Sequence, residues 1–141
     1  MTADARGLFW PAFALVLLTF VVWLRMFLAR AGEMRRLRIH PQSVATSVQA
    51  SQRLIDTRAA DNFRNLFELP VLFYAALGMA FAIGTVDQPT LALAWLFVVL
   101  RIVHSAIQCS YNRVMHRFGA YVVGGVALWA LWGWLAWRVA G

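Results

Sequence analysis

The chain has 141 residues, of which 62% are hydrophobic and 13% charged, and its formal net charge is +7. A soluble domain carries about 25% charged residues, so the composition excludes an ordinary soluble domain and indicates a single membrane domain over residues 1–141. Lysine is absent, and the arginines cluster beside apolar segments. That distribution is typical of membrane topology and does not favour nucleic-acid binding.

Four segments are long and apolar enough to be membrane helices, each of which needs about 20 mostly apolar residues. We expect spans at about residues 8–28, 66–86, 89–108 and 120–139. The first is too long for the apolar region of a signal peptide, so we expect a retained helix there. The predicted fold class is therefore all-α, an integral membrane four-helix bundle.

The connections between the spans differ in length and charge. Spans two and three are joined by a tight turn at residues 84–89, whereas spans one and two are separated by the arginine-rich residues 30–64. The connection from span three to span four carries Arg113, His116 and Arg117. Because cytoplasmic loops are enriched in arginine, we expect both loops in the cytoplasm. Both termini would then be periplasmic, in a bacterial inner membrane.

Polar residues continue into the start of the second span. At helical spacing Arg58, Asp61, Asn65 and Glu68 share one face, and Pro70 is expected to kink the helix shortly afterwards. A carboxylate at this depth is costly unless it is paired or faces a polar cavity. The stripe therefore predicts a polar niche near the cytoplasmic side. For Asp61 a solvated helix start is the alternative, because an acid suits the positive end of the helix dipole.

The third span has a matching polar face, formed at helical spacing by Arg101, His104, Ser105, Gln108 and Asn112. An unpaired arginine within an apolar run costs at least about 2.5 kcal/mol. We therefore expect Arg101 to meet Glu68, since span two begins and span three ends at the same side. The pair is either a structural ion pair, within one chain or between chains, or one wall of a cavity for an anionic ligand. His104 alone is more typical of an interhelical hydrogen bond than of catalysis.

The residues that could bind a metal or act as a nucleophile show no recognisable spacing. The three histidines are scattered, without a His-x-x-His or Glu-x-x-His pattern, so no metal site is predicted. Cys109 is the only cysteine, which excludes an intrachain disulfide. We interpret it as a small apolar residue in a helix.

Together these features resemble the MAPEG family, membrane-associated proteins in eicosanoid and glutathione metabolism. The resemblance rests on the four spans, the unequal connections, Asn65-x-x-Glu68 with Pro70 shortly after, and Arg101-Ile-Val-His104. It implies a left-handed four-helix bundle that assembles as a homotrimer, with glutathione bound between neighbouring subunits near the cytosolic side. The chain is similar to a divergent, bacterial-type branch of that family.

The resemblance also implies roles for individual residues. Glu68 would receive the α-amino group of glutathione, Arg101 or Arg117 a carboxylate, and Arg35 or Arg36 would activate the thiol. The full substrate-binding set implied in this way is Arg58, Asn65, Glu68, Arg101, His104, Gln108 and Arg117.

The chain departs from the family at some of these positions. Asp61 stands where family enzymes often carry an arginine, for which Arg58 or Arg64 could substitute. His104 and Gln108 stand where some members carry tyrosines near the thiol. These departures leave room for a ligand other than glutathione, such as another small anion.

Two functions remain open from the sequence. One is a glutathione-dependent transferase or peroxidase that acts on a lipophilic electrophile drawn from the membrane lipid. The other is a non-catalytic protein of the same fold that binds or presents lipids. A small transporter or channel is disfavoured, because the polar stripes end near one face of the membrane instead of crossing it.

Overall fold

The computed structural model describes residues 5–141, and every regular element within that range is a helix. The α-helices are α1 (Phe9–Arg36), α2 (Ser47–Arg53), α3 (Arg58–Asn65), α4 (Leu69–Ala82), α5 (Gln88–Cys109) and α6 (Val114–Ala140). Short 3-10 helices at Ala5–Leu8 and Pro41–Val44 precede α1 and α2.

Four segments of the described chain are long and apolar enough to cross a membrane. They are Arg6–Arg36, Arg58–Ala82, Gln88–Cys109 and Val114–Ala140. The all-α four-helix architecture predicted from the sequence is thereby confirmed. The second segment comprises α3 and α4, so it is not one continuous helix.

Two helices extend beyond the limits expected from hydropathy. Helix α1 continues to Arg36, because the polar segment that follows the apolar run is rich in good helix formers such as alanine, glutamate, methionine and arginine. Helix α6 begins at Val114, so His116 and Arg117 lie in its first turn and not in a loop. The polar connection between the first two spans is therefore shorter than predicted and mostly helical.

The second span breaks where the sequence analysis predicted only a kink. Helix α3 ends at Asn65, and α4 begins at Leu69 with Pro70 in its first turn. Proline lacks an N–H and its ring clashes with the carbonyl four residues earlier, whereas in the first turn of a helix neither defect matters. Pro70 is accommodated because α3 ends before it and α4 begins with it in the first turn. The single polar face predicted for Arg58, Asp61, Asn65 and Glu68 is consequently interrupted before Glu68.

The core lies between α4, α5 and α6, with Leu15 and Val22 of α1 packed against it. The rings of Phe73 and Phe97 stack there with their centroids 4.8 Å apart, and both are fully buried beside Leu128 and Leu131. Helix α1 packs against α3 and α5 but leaves most of its large apolar side chains exposed. An apolar exterior of this kind is what a lipid environment requires.

The turn between α4 and α5 is short, as expected. Gly84 ends α4 with a φ of 68°, and the N–H of Thr85 donates to the carbonyl of Ala80 (2.9 Å). This is the glycine-terminated helix end in which a left-handed residue allows the last carbonyls to be satisfied. Asp87 then caps α5, because its Oδ1 accepts from the backbone N–H of Thr90 (3.0 Å).

Asp87 also ties the start of α5 to the end of α6. It accepts a hydrogen bond from Trp134 Nε1 (3.2 Å) and lies 3.7 Å from Arg138 Nε. Partial burial acts to raise the pKa of Asp87, but the hydrogen bonds from Thr90 and Trp134 outweigh burial and leave the pKa lowered. A lowered carboxyl pKa contributes stability that is present above about pH 4 and is lost as the pH falls through the folded-state pKa.

Replacing Asp87 with alanine is expected to lower the free energy of unfolding by about 0.5–2 kcal/mol, the usual cost of losing a helix cap. Thermal unfolding in detergent measures this as a lower midpoint. Asp87→Asn retains a capping oxygen and serves as the control with a smaller loss. The wild type should also lose stability below pH 4 more steeply than Asp87→Ala; parallel pH profiles would contradict this account.

The opposite end of the bundle carries most of the arginines, and we call it the arginine-rich end. It is the end at which α1 and α5 finish and α3 and α6 begin, since Arg25 donates to the carbonyl of Cys109. Buried Glu33 fixes the connection here, because its carboxylate accepts the backbone N–H groups of Ile55 (2.7 Å) and Asp56 (3.4 Å). The connection between α1 and α3 is thus held against α1 at the arginine-rich end.

Candidate functional site

A chain of polar side chains links α3, α5 and α6 at the arginine-rich end. Asn65 Nδ2 donates to Gln108 Oε1 (3.0 Å), and His104 Nε2 lies 2.9 Å from the same oxygen. The other ring nitrogen, His104 Nδ1, donates to the backbone carbonyl of Arg117 (2.9 Å). We call Asn65, His104 and Gln108 the polar triad. The sequence predicted all three as site residues, and the structure brings them together.

The positions of the triad follow from the helical repeat of α5. Arg101, His104, Ser105 and Gln108 recur at three- and four-residue steps, and all four are buried. That spacing places them on the face that α5 turns toward its neighbours. Asn112, predicted on the same face, lies beyond the end of α5 with a φ of 49°. It therefore does not extend the buried face.

A second set of contacts lies one turn away from the triad. Asn62 is fully buried, accepts from Ser105 Oγ (3.2 Å), and donates to Cys109 Sγ (3.4 Å). Cys109 is thus a weak hydrogen-bond acceptor as well as a packing residue. These contacts satisfy the buried polar groups between α3 and α5, as the cost of unpaired buried groups requires.

Arg101 is the unusual residue of the site. Its side chain is only 1% exposed, and its guanidinium carbon lies 5.2 Å from the ring centroid of Phe97 and 4.8 Å from that of Tyr121. Both terminal nitrogens are buried and have no hydrogen-bond partner in the described part of the chain. Two aromatic faces stabilise a cation, but they leave its N–H groups unsatisfied. An unsatisfied buried charge is a costly feature in an otherwise well-paired layer.

The predicted ion pair between Glu68 and Arg101 does not form within the chain. Glu68 lies in the break before α4, where its side chain is exposed and makes no capping hydrogen bond. The helix break explains this, because it turns Glu68 away from the face that carries Asn65. Glu68 nevertheless remains close enough for its charge to act on Arg101.

Arg58 and Arg117 are held by partners other than the triad side chains. Arg58 Nε and Nη2 donate to the two carboxylate oxygens of Asp56, each at 2.9 Å, and Arg58 Nη1 donates to the carbonyl of Ser110. The hydrogen bonds from Arg58 hold the pKa of Asp56 below its usual range. Arg117 Nη1 donates to Asn112 Oδ1 (2.9 Å). Within this chain Arg58 is therefore paired with Asp56 and is not free to replace an arginine at position 61.

Arg35 and Arg36 are not brought into the polar layer of this chain. Both lie exposed in the last turn of α1, and neither makes a side-chain hydrogen bond or ion pair with the triad. As thiol-activating residues they therefore remain a prediction. Arg64, the other suggested substitute, is exposed and lies 3.8 Å from Asp61.

Several residues of the site were not identified from the sequence as part of it. Tyr121, which faces Arg101, lies one helical turn after Arg117 in α6, and this spacing could have indicated it. Asn62 lies three residues before Asn65, and this helical spacing could have indicated it. Arg25 and Glu33 had no such signal, because their partners are backbone groups distant in sequence.

The arrangement offers a particular set of chemical groups. It comprises a buried guanidinium with unused donors, a nearby exposed carboxylate and a layer of amides and imidazole. Within the described residues no cluster of three or more potential metal-binding side chains is present, and the site offers no base positioned against a nucleophile. Such a layer suits recognition of a small molecule that carries carboxylates and an ammonium group.

Comparison with known proteins gives the family. The model of the MAPEG family matches residues 8–137, nearly the whole chain. No curated protein and no solved structure matches the chain. The matched residues include the polar triad and Arg101. They also include all four candidate spans, apart from the outermost residues of the first and the last span. This chain is an integral membrane protein that belongs to the MAPEG family, whose members include glutathione-dependent enzymes and non-catalytic proteins.

Proposed function

We propose that the protein is a glutathione-dependent transferase or peroxidase that acts on a lipophilic electrophile from the membrane. The observation that carries the proposal is Arg101, a buried cation with two unsatisfied terminal nitrogens. A buried charge without an acid is a structural liability. A ligand anion would remove that liability.

The residues present fit the charges of glutathione, which has two carboxylates, one ammonium and a thiol. The two unused nitrogens of Arg101 can bind one carboxylate bidentately, the geometry that guanidinium groups favour. The side chain of Glu68 has no hydrogen-bond partner in the described chain and is free to bind the ammonium. Asn65 and Gln108 supply amides for the peptide groups, and Arg117 is the second cation for the other carboxylate.

The site of one chain is incomplete for thiol chemistry. In the homotrimer that we propose, Arg35 or Arg36 of a neighbouring chain would reach the thiol, since in their own chain neither contacts the triad. A nearby arginine lowers the pKa of a thiol and favours the nucleophilic thiolate. The thiolate would attack the electrophile and displace its leaving group. Alternatively, it would attack a lipid hydroperoxide, which gives the alcohol and a glutathione sulfenic acid, and a second glutathione would convert the sulfenic acid to glutathione disulfide and water.

The proposed topology places this site at the cytoplasmic side of a bacterial inner membrane, with both termini periplasmic. The arginine-rich end supports that orientation, because arginine is enriched on the cytoplasmic side of membrane proteins. Glutathione would then be drawn from the cytoplasm, and the apolar substrate from the bilayer.

The proposal is tested by turnover of the purified protein in liposomes with a chloronitrobenzene or a lipid hydroperoxide. We expect product formation that requires glutathione and saturates with it. Turnover that is no faster than the reaction without protein, for both substrates, would contradict an enzymatic role.

A specific observation favours the non-catalytic, lipid-binding alternative. The members of the polar triad contact one another, so each of these side chains has a neighbour within the chain without any ligand. In addition, Tyr121 presents its ring to Arg101, while His104 and Gln108 occupy the positions of the family's tyrosines. Lipid that copurifies with the protein in the absence of any glutathione turnover would support this alternative.

A further inference from the structure

A second group of arginines lines a cleft between α1, α2 and α3. Two adjoining cavities of about 280 and 290 Å³ share Arg30, Ser47 and Arg64 in their walls, and Ser51 lines the first of them. We call these four residues the arginine cleft. Arg30 Nε is buried and has no hydrogen-bond partner in the described chain. None of these residues belongs to the polar triad or contacts Arg101.

Two acids, Asp56 and Asp61, also line the first cavity, and both are already engaged. Asp56 forms a two-point pair with Arg58, and Asp61 accepts the hydroxyl of Thr57 at 2.9 Å and lies 3.8 Å from Arg64. Arg30 has no acid within ion-pair distance. The cleft therefore keeps one cation without a counter-charge, together with the hydroxyl of Ser47, whereas the Ser51 hydroxyl donates to the carbonyl of Val48 (2.8 Å). Arginine and hydroxyl donors are the groups that bind phosphate oxygens.

An apolar groove continues from the cleft toward the middle of the bundle. It has a volume of about 500 Å³ and is lined by side chains of α1, α3 and α4 and of the break between α3 and α4. Its walls include Val16, Phe20, Trp23 and Val71, and Phe63 lines both this groove and the second cavity of the arginine cleft. The volume lies within the range of about 300–1,000 Å³ found for ligand sites. Groove and cleft therefore adjoin at Phe63, with the apolar walls on one side and the arginines on the other.

We propose that groove and cleft together bind one anionic phospholipid. Its phosphate lies at Arg30 and Arg64 with the Ser47 hydroxyl of the cleft, and an acyl chain lies along the groove. The groove runs along two candidate membrane spans, and the cationic end lies where α1 leaves the apolar region. A cation beside an apolar groove at this depth matches the headgroup and chain of a lipid.

Charge argues against a second copy of this chain as the occupant. The sequence has 13 arginines and only six acids. Of the acids in the described residues, Glu68 is the one without a hydrogen bond or ion pair, so a second copy has little to offer Arg30. An anionic lipid supplies the missing charge and fills the apolar groove at the same time.

The test is lipid retention by the full-length protein in mild detergent, measured by native mass spectrometry. Phosphatidylglycerol and phosphatidylcholine are added in equal amounts. We expect about one phosphatidylglycerol per chain and a preference of at least about fivefold over phosphatidylcholine, the effect of one arginine near an anionic headgroup. Arg30→Gln is expected to abolish that preference. Arg53→Gln, an exposed arginine of the same connection that lines neither cavity, should retain it.

Two further variants keep the test decisive if Arg30→Gln does not fold. Arg64→Gln changes a side chain that is 59% exposed and should also lower the preference. Val16→Trp fills the groove without changing any charge and should lower retention of both lipids. Equal phosphatidylglycerol binding in all variants would overturn the proposal. It would also be overturned if inorganic phosphate displaced the lipid completely, or if Val16→Trp changed only the oligomeric state.

Discussion

Replacing Arg101 with methionine is expected to remove glutathione-dependent turnover without destabilising the protein. Methionine keeps the length and the contact with Phe97 and Tyr121 but removes a buried charge that has no acid partner in the chain. Apolar replacements of buried charges are often neutral or stabilising. Loss of a charged hydrogen bond to a ligand costs about 1.5–3 kcal/mol, so we expect turnover to fall at least about tenfold. Activity in liposomes and thermal unfolding in detergent are measured in parallel.

The control for this variant is Ile102→Met, which changes the neighbouring exposed side chain of the same helix and should alter neither quantity. The combination of lost activity and retained stability separates a ligand-binding arginine from a structural one. A clear fall in the unfolding midpoint of Arg101→Met would show that Arg101 is paired in the assembled protein. In that case its role would be structural.

Replacing Glu68 with glutamine is expected to lower glutathione-dependent activity by at least about tenfold, again through loss of a charged contact worth about 1.5–3 kcal/mol. The side chain of Glu68 is exposed and makes no hydrogen bond in the described chain, so the unfolding midpoint should not change. The effect should appear mainly as weaker glutathione binding, since the proposed partner is the ammonium group and not the reacting thiol.

Glu68→Asp is the matched control, because it keeps the charge on a shorter side chain. It should recover part of the affinity that Glu68→Gln loses. Unchanged kinetics for both variants would remove Glu68 from the site. The exposed carboxylate would then have no assigned role in binding.

The sequence predicts much of the fold because the membrane imposes strong constraints. Each spanning helix must satisfy its own backbone and present apolar side chains to lipid, so span number and the short turn at Gly84 follow from hydropathy and turn residues. The buried polar face of α5 was also predictable, since the three- and four-residue spacing from Arg101 to Gln108 survives in the folded helix.

The site was less predictable where backbone geometry changes locally. Periodicity assumes an unbroken helix, and the break at residues 66–68, before Pro70, invalidates that assumption. Glu68 therefore points outward, and its predicted ion pair with Arg101 is absent. Arg58 was predicted to contact the substrate, but in the structure it forms an ion pair with Asp56. No spacing rule indicates that Asp56 would be its partner.

Long-range contacts to backbone groups escape sequence reasoning altogether. Arg25 donates to the carbonyl of Cys109 and Glu33 accepts from Ile55, and both contacts depend on how the helices pack. The arginine cleft has the same origin. Arg30 and Arg64 come from different helices, and their position next to an apolar groove becomes visible only when α1, α2 and α3 are placed together.

The most direct test compares glutathione binding by the purified wild-type protein and by Arg101→Met. It addresses the claim that the unpaired guanidinium of Arg101 binds an anionic ligand. Thermal unfolding is followed with and without millimolar glutathione. A ligand that binds only the folded state at 100 times its Kd adds about 2.7 kcal/mol of stability. We expect a raised unfolding midpoint for the wild type and none for Arg101→Met. No shift in the wild type, or an equal shift in both proteins, would contradict the claim.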